Sequence, residues 1–364
     1  MNKSIIALAV ASVAASASVS AAEIYSDANS AISINGRVEA VAQIRDGEVD
    51  DQSRARIGFM GQSQLTPDLY GVGYYEAQLD SSTNGRVKRT SNSSTVETRY
   101  AYAGVGGDFG EVGYGRADGS LGMITDFTDI MAYDGAAASA KLAVADRVDN
   151  NLYYKGEFND LTVKANYSFA NSRSVLNQIQ KYENEGYSIG ATYNLPVGLG
   201  LGLGYAAQSY QTLEDDTQLI AAINYTIGDF YVAGLYTTGD RTDDTEDYDG
   251  YELAAAYNLN QWVFTTTYGK GTDDPKGAGA DVDVADVWAV DATYYFNTKF
   301  RAYASYNFNM LDKDDVAKPQ LKTGDTWPSL RLLMPHKFFY ANACLVQAFL
   351  FVFLDVIISL TLQH

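Results

Sequence analysis

Leu161-Thr162-Val163-Lys164-Ala165-Asn166-Tyr167-Ser168-Phe169 alternates without a break. Leu161, Val163, Ala165, Tyr167 and Phe169 fall on one side of an extended chain, and Thr162, Lys164, Asn166 and Ser168 on the other. That period of two marks a strand with water on one face and an apolar medium on the other. The pattern recurs in both directions from this stretch. Across 36–45, Arg37, Glu39, Val41, Gln43 and Arg45 oppose Val38, Ala40, Ala42 and Ile44. Arg54, Arg56, Gln62 and Gln64 then oppose Ala55, Ile57, Phe59 and Leu65. Further strands are predicted over 70–79, 95–106, 147–154, 185–193, 199–210, 217–227, 230–238, 250–259, 262–271, 284–296 and 300–311.

The connections fall into two classes. Short turns lie at Pro67, Asn159, Pro196, Gly228-Asp229, 258–261 and 297–299, and long acidic loops lie at the opposite strand ends. Transmembrane β-barrels show this asymmetry, with short turns on one side of the membrane and long loops on the other. Tyr167, Phe169, Tyr193, Tyr225, Tyr294, Phe296, Tyr306 and Phe308 sit near strand ends, where aromatic girdles meet the membrane interfaces. A soluble β-sandwich also alternates, but it would not need so many strands of about ten residues. The expected fold is therefore all-β: a transmembrane antiparallel up-and-down β-barrel.

Composition agrees with that reading. The 364-residue chain holds 28 Tyr, 32 Gly and 6 Pro, and its mean hydropathy of -0.18 suits strands that turn every second residue to water. The net charge of -19 argues against a nucleic-acid partner. Cys344 is the single cysteine, so no intrachain disulfide forms. Lys3, the apolar 5–15 and Val19-Ser20-Ala21 read as a signal peptide over 1–21, with export and a mature start at Ala22.

One segment does not alternate. After the strand Phe109–Arg116, residues 117–146 form a long irregular stretch carrying Asp118, Asp126, Asp129 and Asp134. A loop of this length inside a compact fold is usually functional, and it is expected to fold into the barrel and narrow its channel.

The chain resembles the Gram-negative general porins. The resemblance rests on Ala22-Glu23-Ile24-Tyr25, Gly36-Arg37, Arg56-Ile57-Gly58-Phe59-Met60-Gly61 and Thr98-Arg99-Tyr100-Ala101-Tyr102-Ala103-Gly104. It is tightest at Tyr114-Gly115-Arg116 with Phe127-Thr128-Asp129-Ile130-Met131, returns at Ala292-Thr293-Tyr294-Tyr295-Phe296-Asn297, and spans about 22–326. It implies about sixteen strands around an aqueous channel, a homotrimer, and an outer-membrane setting among lipid and lipopolysaccharide. It also implies a third loop that folds inward to face a basic wall. Arg37, Arg56, Arg99 and Arg147 match the wall positions, and the alternation independently puts Arg37, Arg56 and Arg147 on polar faces. Arg116 lies at the strand-to-loop junction. Asp129 matches the loop carboxylate. The family's Pro-Glu-Phe-Gly ending is replaced by Ala132-Tyr133-Asp134-Gly135, which displaces that carboxylate by one residue.

Passive diffusion of small hydrophilic solutes and ions follows as the expected function, with a mild cation preference from the negative charge. The alternatives are a substrate-specific porin, or an adhesin or phage-receptor barrel whose lumen matters little. No enzyme is expected: His336 and His364 both lie in the tail, leaving the barrel no Ser-His arrangement. No metal site or cofactor is expected, since runs such as 240–249 lack the spacing and central glycine of a calcium loop. They read as solvated loops, with divalent bridging to lipopolysaccharide phosphates as the other reading.

From 327 to 364 the composition changes. The tail holds both histidines and the only cysteine, and its apolar run 345–362 does not alternate. The expectation is that a frame shift or similar accident replaced the family's terminal strand; the other reading is an unusual natural tail. An open barrel edge in lipid would be costly.

Overall fold

The computed structural model describes residues 22–45, 48–80, 96–133, 135–170, 185–210, 215–241, 246–275 and 280–311. The expected signal peptide, Asp134 and the tail over 327–364 lie outside the described residues. In chain order the strands are β1 (Ala22–Ser26), β2 (Ser30–Glu39), β3 (Ala42–Arg45), β4 (Glu48–Asp51), β5 (Arg54–Thr66) and β6 (Leu69–Asp80). Next come β7 (Val96–Gly107), β8 (Gly110–Asp118), β9 (Arg147–Phe158), β10 (Leu161–Ser168), β11 (Glu185–Asn194) and β12 (Leu199–Ser209). The last are β13 (Asp216–Ile227), β14 (Phe230–Arg241), β15 (Glu246–Leu259), β16 (Trp262–Pro275), β17 (Val282–Asn297) and β18 (Phe300–Asn309).

All but β3 and β4 form one antiparallel sheet of 16 strands, each paired with its neighbours in sequence. The strand expected over 36–45 is broken: β2 stops at Glu39, and 42–45 turns away to pair with β4 in a two-stranded hairpin of its own. The tight turns expected at one end are present. Asn159, Gly228 and Asn260 take φ of 53°, 59° and 56°, the left-handed conformation that two-residue hairpin connections require and that Gly and Asn tolerate.

The sheet curls into a barrel. Tyr303 on β18 donates to Glu39 Oε1 on β2 at 2.8 Å, yet these strands hold the second and sixteenth positions. They would stand about 67 Å apart in a flat sheet. The second edge of β18 has no ladder partner among the described residues, and the Tyr303–Glu39 side-chain bond crosses this seam.

Inside and outside follow the alternation. On β12, Gly200, Gly202, Gly204 and Ala206 are buried while Leu201 and Leu203 are exposed. Leu203 and Leu253 are 58% and 56% exposed, and with Ile223 and Val232 they make an outward apolar surface suited to hydrocarbon rather than water. Among the described residues no helix is long and apolar enough to cross a membrane; the crossing elements are strands.

Candidate functional site

The buried apolar cluster is built on the inner face, by the long segment packing against the wall. Leu121 and Ile124 are fully buried with Ala206, Ile220, Ala222, Leu235 and Ala254. They sit on a short helix α1 (Gly122–Thr125) and its leading residue. Inner-wall glycines make room for them: a Cβ on Gly204 would stand 2.4 Å from Leu121 Cδ2 and 2.6 Å from Ile124 Cδ1. The ends of the segment are closed by Gly119 N donating to Asp146 O at 2.5 Å and Leu121 N to Ala145 O at 3.3 Å.

Polar side chains of the wall then fix the rest. Ser120 Oγ donates to Ser188 Oγ at 2.7 Å, and Ser188 in turn donates to Asn166. Tyr231 donates to Phe127 O at 2.7 Å. Glu252, buried on β15, accepts from Thr128 Oγ1 at 2.5 Å and from the backbone N–H groups of Ala138 and Ser139 at 2.8 and 3.0 Å. Asp291 on β17 accepts from Ala132 N at 2.6 Å. Gln218 accepts from Leu142 N at 3.0 Å. These backbone groups have left water, so each needs such a partner. The segment is thereby pinned to the inner wall from β10 to β17.

Its carboxylates are placed unequally. Asp118 Oδ1, at the end of β8, accepts from Tyr100 at 2.8 Å. The carboxylates of Asp126 and Asp129 make no side-chain hydrogen bond or ion pair among the described residues. Burial pushes the Asp126 carboxyl up to about 7, reinforced by Asp129 and opposed by Lys141 and Lys164. Burial also raises Asp129 above the ordinary carboxylate range.

Arginines gather on the wall of β2, β5 and β7. Arg37 and Arg56 are direct cross-strand partners, an arrangement that like charges disfavour. Arg54 and Arg99 lie within electrostatic range of both. Acids on the same wall offset part of this charge. Glu39 pairs with Arg54 at 2.7 Å and Arg37 at 3.5 Å, and Glu76 pairs with Arg99 at 2.7 Å. Arg56 Nε donates to Gln78 Oε1 at 2.6 Å. The Arg54 guanidinium lies over the ring of Tyr133, midway along the inward segment, at 5.6 Å, so that segment reaches the arginine wall.

Arg99 owes its direction to a bulge. The β6–β7 register passes from Glu76 opposite Tyr100 to Ala77 opposite Thr98, leaving Arg99 as the extra residue. Such a bulge re-aims a side chain, and both Arg99 and Tyr100 turn inward. Arg147 lies over the Tyr100 ring at 5.3 Å and opposite Asp118. Arg116 differs: it lies in a register irregularity of β8 and is held by Asp149 at 3.0 Å.

The structure thus brings Arg37, Arg56 and Arg99 into one cluster, and Arg147 with Asp118 into a second around Tyr100. Arg301, Glu76, Lys141 and the two pinning acids Glu252 and Asp291 were not anticipated, and Glu39, Arg54 and Lys164 were placed on polar faces without being singled out as site residues. Arg54 was within reach of the sequence reading, since it shares the polar face of Arg56.

A membrane barrel whose lumen is partly filled by a pinned loop, with acids on that loop and arginines on the wall, is a channel architecture. Comparison with known proteins gives the family: residues 7–314 match the Gram-negative porin model, and the chain belongs to that family. It is 47% identical over 338 residues to porin-like protein L of Photobacterium profundum, covering 86% of this chain and 94% of that protein. It is 42% identical over 351 residues to outer membrane protein U of Vibrio vulnificus, covering 93% and 100%. Among solved structures, the Salmonella typhi OmpF complex with daunomycin superposes with a TM-score of 0.69 at 22% identity, covering 81% of this chain and 94% of that one. The trimer form of OmpT from Vibrio cholerae gives 0.59 at 17%, covering 77% and 88%. The protein is an outer-membrane channel for passive diffusion and not an enzyme.

Proposed function

We propose that the lumen passes small hydrophilic solutes and ions between Asp118, Asp126 and Asp129 on one side and Arg37, Arg56, Arg99 and Arg147 on the other, with a mild cation preference. The observation that supports this reading is the pinned segment, which carries these acids and whose Tyr133 reaches Arg54 on the arginine wall. Arg116, committed to Asp149, contributes less. Facing charges of opposite sign align water dipoles and disfavour apolar solutes, while the net charge of -19 biases the permeating ions toward cations. The functional unit is a homotrimer set in lipid and lipopolysaccharide.

Reversal potentials of the purified full chain in planar bilayers, under a potassium chloride gradient, test this reading. A modest potential of the sign for cation preference is expected, and a clear anion preference would overturn the selectivity. Deleting 119–133 should change single-channel conductance. An unchanged conductance would favour a receptor barrel whose lumen does not serve transport.

A further inference from the structure

The inner wall below the inward segment carries a run of tyrosines that selectivity by opposed charges does not use. Tyr100, Tyr74, Tyr102 and Tyr153 follow one another with ring centroids 5.6, 5.7 and 5.3 Å apart. The run starts near Asp118 at the loop end of β8 and descends toward Glu111 at its short-turn end. Glycines make room for tyrosine rings on this wall. A Cβ on Gly113 would stand 2.4 Å from the Tyr153 ring, and one on Gly106 would stand 2.2 Å from the Tyr70 ring.

Hydrogen bonds fix the orientation of these rings. Tyr74 donates to Glu76 at 2.8 Å and accepts from Asn35 at 3.0 Å. Tyr100 donates to Asp118 at 2.8 Å and Tyr153 to Glu111 at 2.7 Å. Tyr102 differs: its hydroxyl has no partner among the described residues, its side chain is only partly buried, and the charged groups in range of it, Glu111 and Asp118, are both acidic. Lys155, opposite Glu111 in register, is paired with Glu157 at 2.6 Å.

We propose that Tyr102, with Tyr74 and Glu111, forms a binding station for small organic cations that carry an aromatic ring. The electron-rich face of a tyrosine attracts a cation within about 6 Å and stacks an aryl group. The adjacent carboxylates supply the charge complement. At Tyr100, Arg99 and Arg147 lie over the ring at 5.9 and 5.3 Å, so the vacant position is the lower one. This proposal rests on the channel reading and adds a ligand class to it.

The test is current block of the purified full chain in planar bilayers by benzyltrimethylammonium, compared with tetramethylammonium and with benzyl alcohol. The aryl cation should block at concentrations about threefold to fivefold lower than tetramethylammonium, and benzyl alcohol should not block. Tyr102→Leu and Glu111→Gln should each remove most of that advantage, while Tyr102→Phe, which keeps the ring, should retain it. Equal block by both cations, or an unchanged advantage in Glu111→Gln, would overturn the station. A wild-type chain with no conductance at all would instead overturn the channel reading.

Discussion

Tyr303 of β18 and Glu39 of β2 are joined by a 2.8 Å hydrogen bond across the seam of the barrel. Glu39 is also the shared acid of Arg54 and Arg37, so the seam and the arginine wall depend on one carboxylate. Tyr303→Phe removes one bond and leaves Glu39 paired, with an expected cost of about 1 kcal/mol in urea unfolding. Glu39→Ala leaves Arg37 and Arg54 without their common partner and should cost clearly more. Equal losses in the two variants would show that Glu39 does not couple the seam to the wall.

Glu252 is the acid on which the inward segment hangs, with three donors on its two oxygens. Glu252→Gln keeps an oxygen for the backbone N–H groups of Ala138 and Ser139 and should conduct much like the parent. Glu252→Ala strands both N–H groups and Thr128, a penalty of about 1–3 kcal/mol for each buried group left unpaired. The strands keep their ladders, so the expected result is a folded barrel with noisier and larger single-channel currents. A quiet, unchanged channel in Glu252→Ala would show that the apolar contacts alone hold the segment.

The strands were legible because every second residue of 161–169 or 199–210 meets a different medium, and that contrast is written into residue type. The arginine cluster was legible only in part. Arg37 and Arg56 follow the alternation, but Arg99 reaches the lumen through a bulge between Glu76 and Ala77. A bulge breaks the count of two and leaves no mark in composition. The acids Glu252 and Asp291 read as ordinary polar-face residues, since their role depends on which backbone groups arrive from 113 to 159 residues earlier. The Tyr102 run was hidden for a similar reason, because girdle and lumen tyrosines differ only in parity and register.

Gly204 and Leu121 show how packing, beside hydrogen bonding, sets the position of the segment. Leu121 is fully buried, and its replacement by Ala should weaken the apolar contact by about 2–5 kcal/mol. Gly204→Val attacks the same contact from the wall, since even a Cβ meets Leu121 at 2.4 Å. Both variants should run as folded barrels on unheated gels yet show altered conductance. If Gly204→Val behaves as the parent does, the segment yields at that point without moving its carboxylates.

Asp126 is expected to make the channel sensitive to pH near neutrality. Its carboxyl is raised to about 7 by burial and then by Asp129, against Lys141 and Lys164. The unfolded chain releases this proton near 3.8, so between about pH 4 and 7 the folded state holds more protons than the unfolded one. Stability contributed by the protonated form is therefore complete below about pH 4 and is lost as pH rises through about 7. Function moves the other way. Above pH 7 the ionised Asp126 adds a negative charge beside Asp118 and Asp129, and cation preference should strengthen. Reversal potentials in a fixed salt gradient at pH 5, 6, 7 and 8 read this directly, with a rise centred near pH 7 expected for the parent. Asp126→Asn should flatten that rise while leaving conductance close to the parent value. A profile of equal steepness in Asp126→Asn would assign the pH dependence to another group, with Asp129, also raised by burial, as the next to replace.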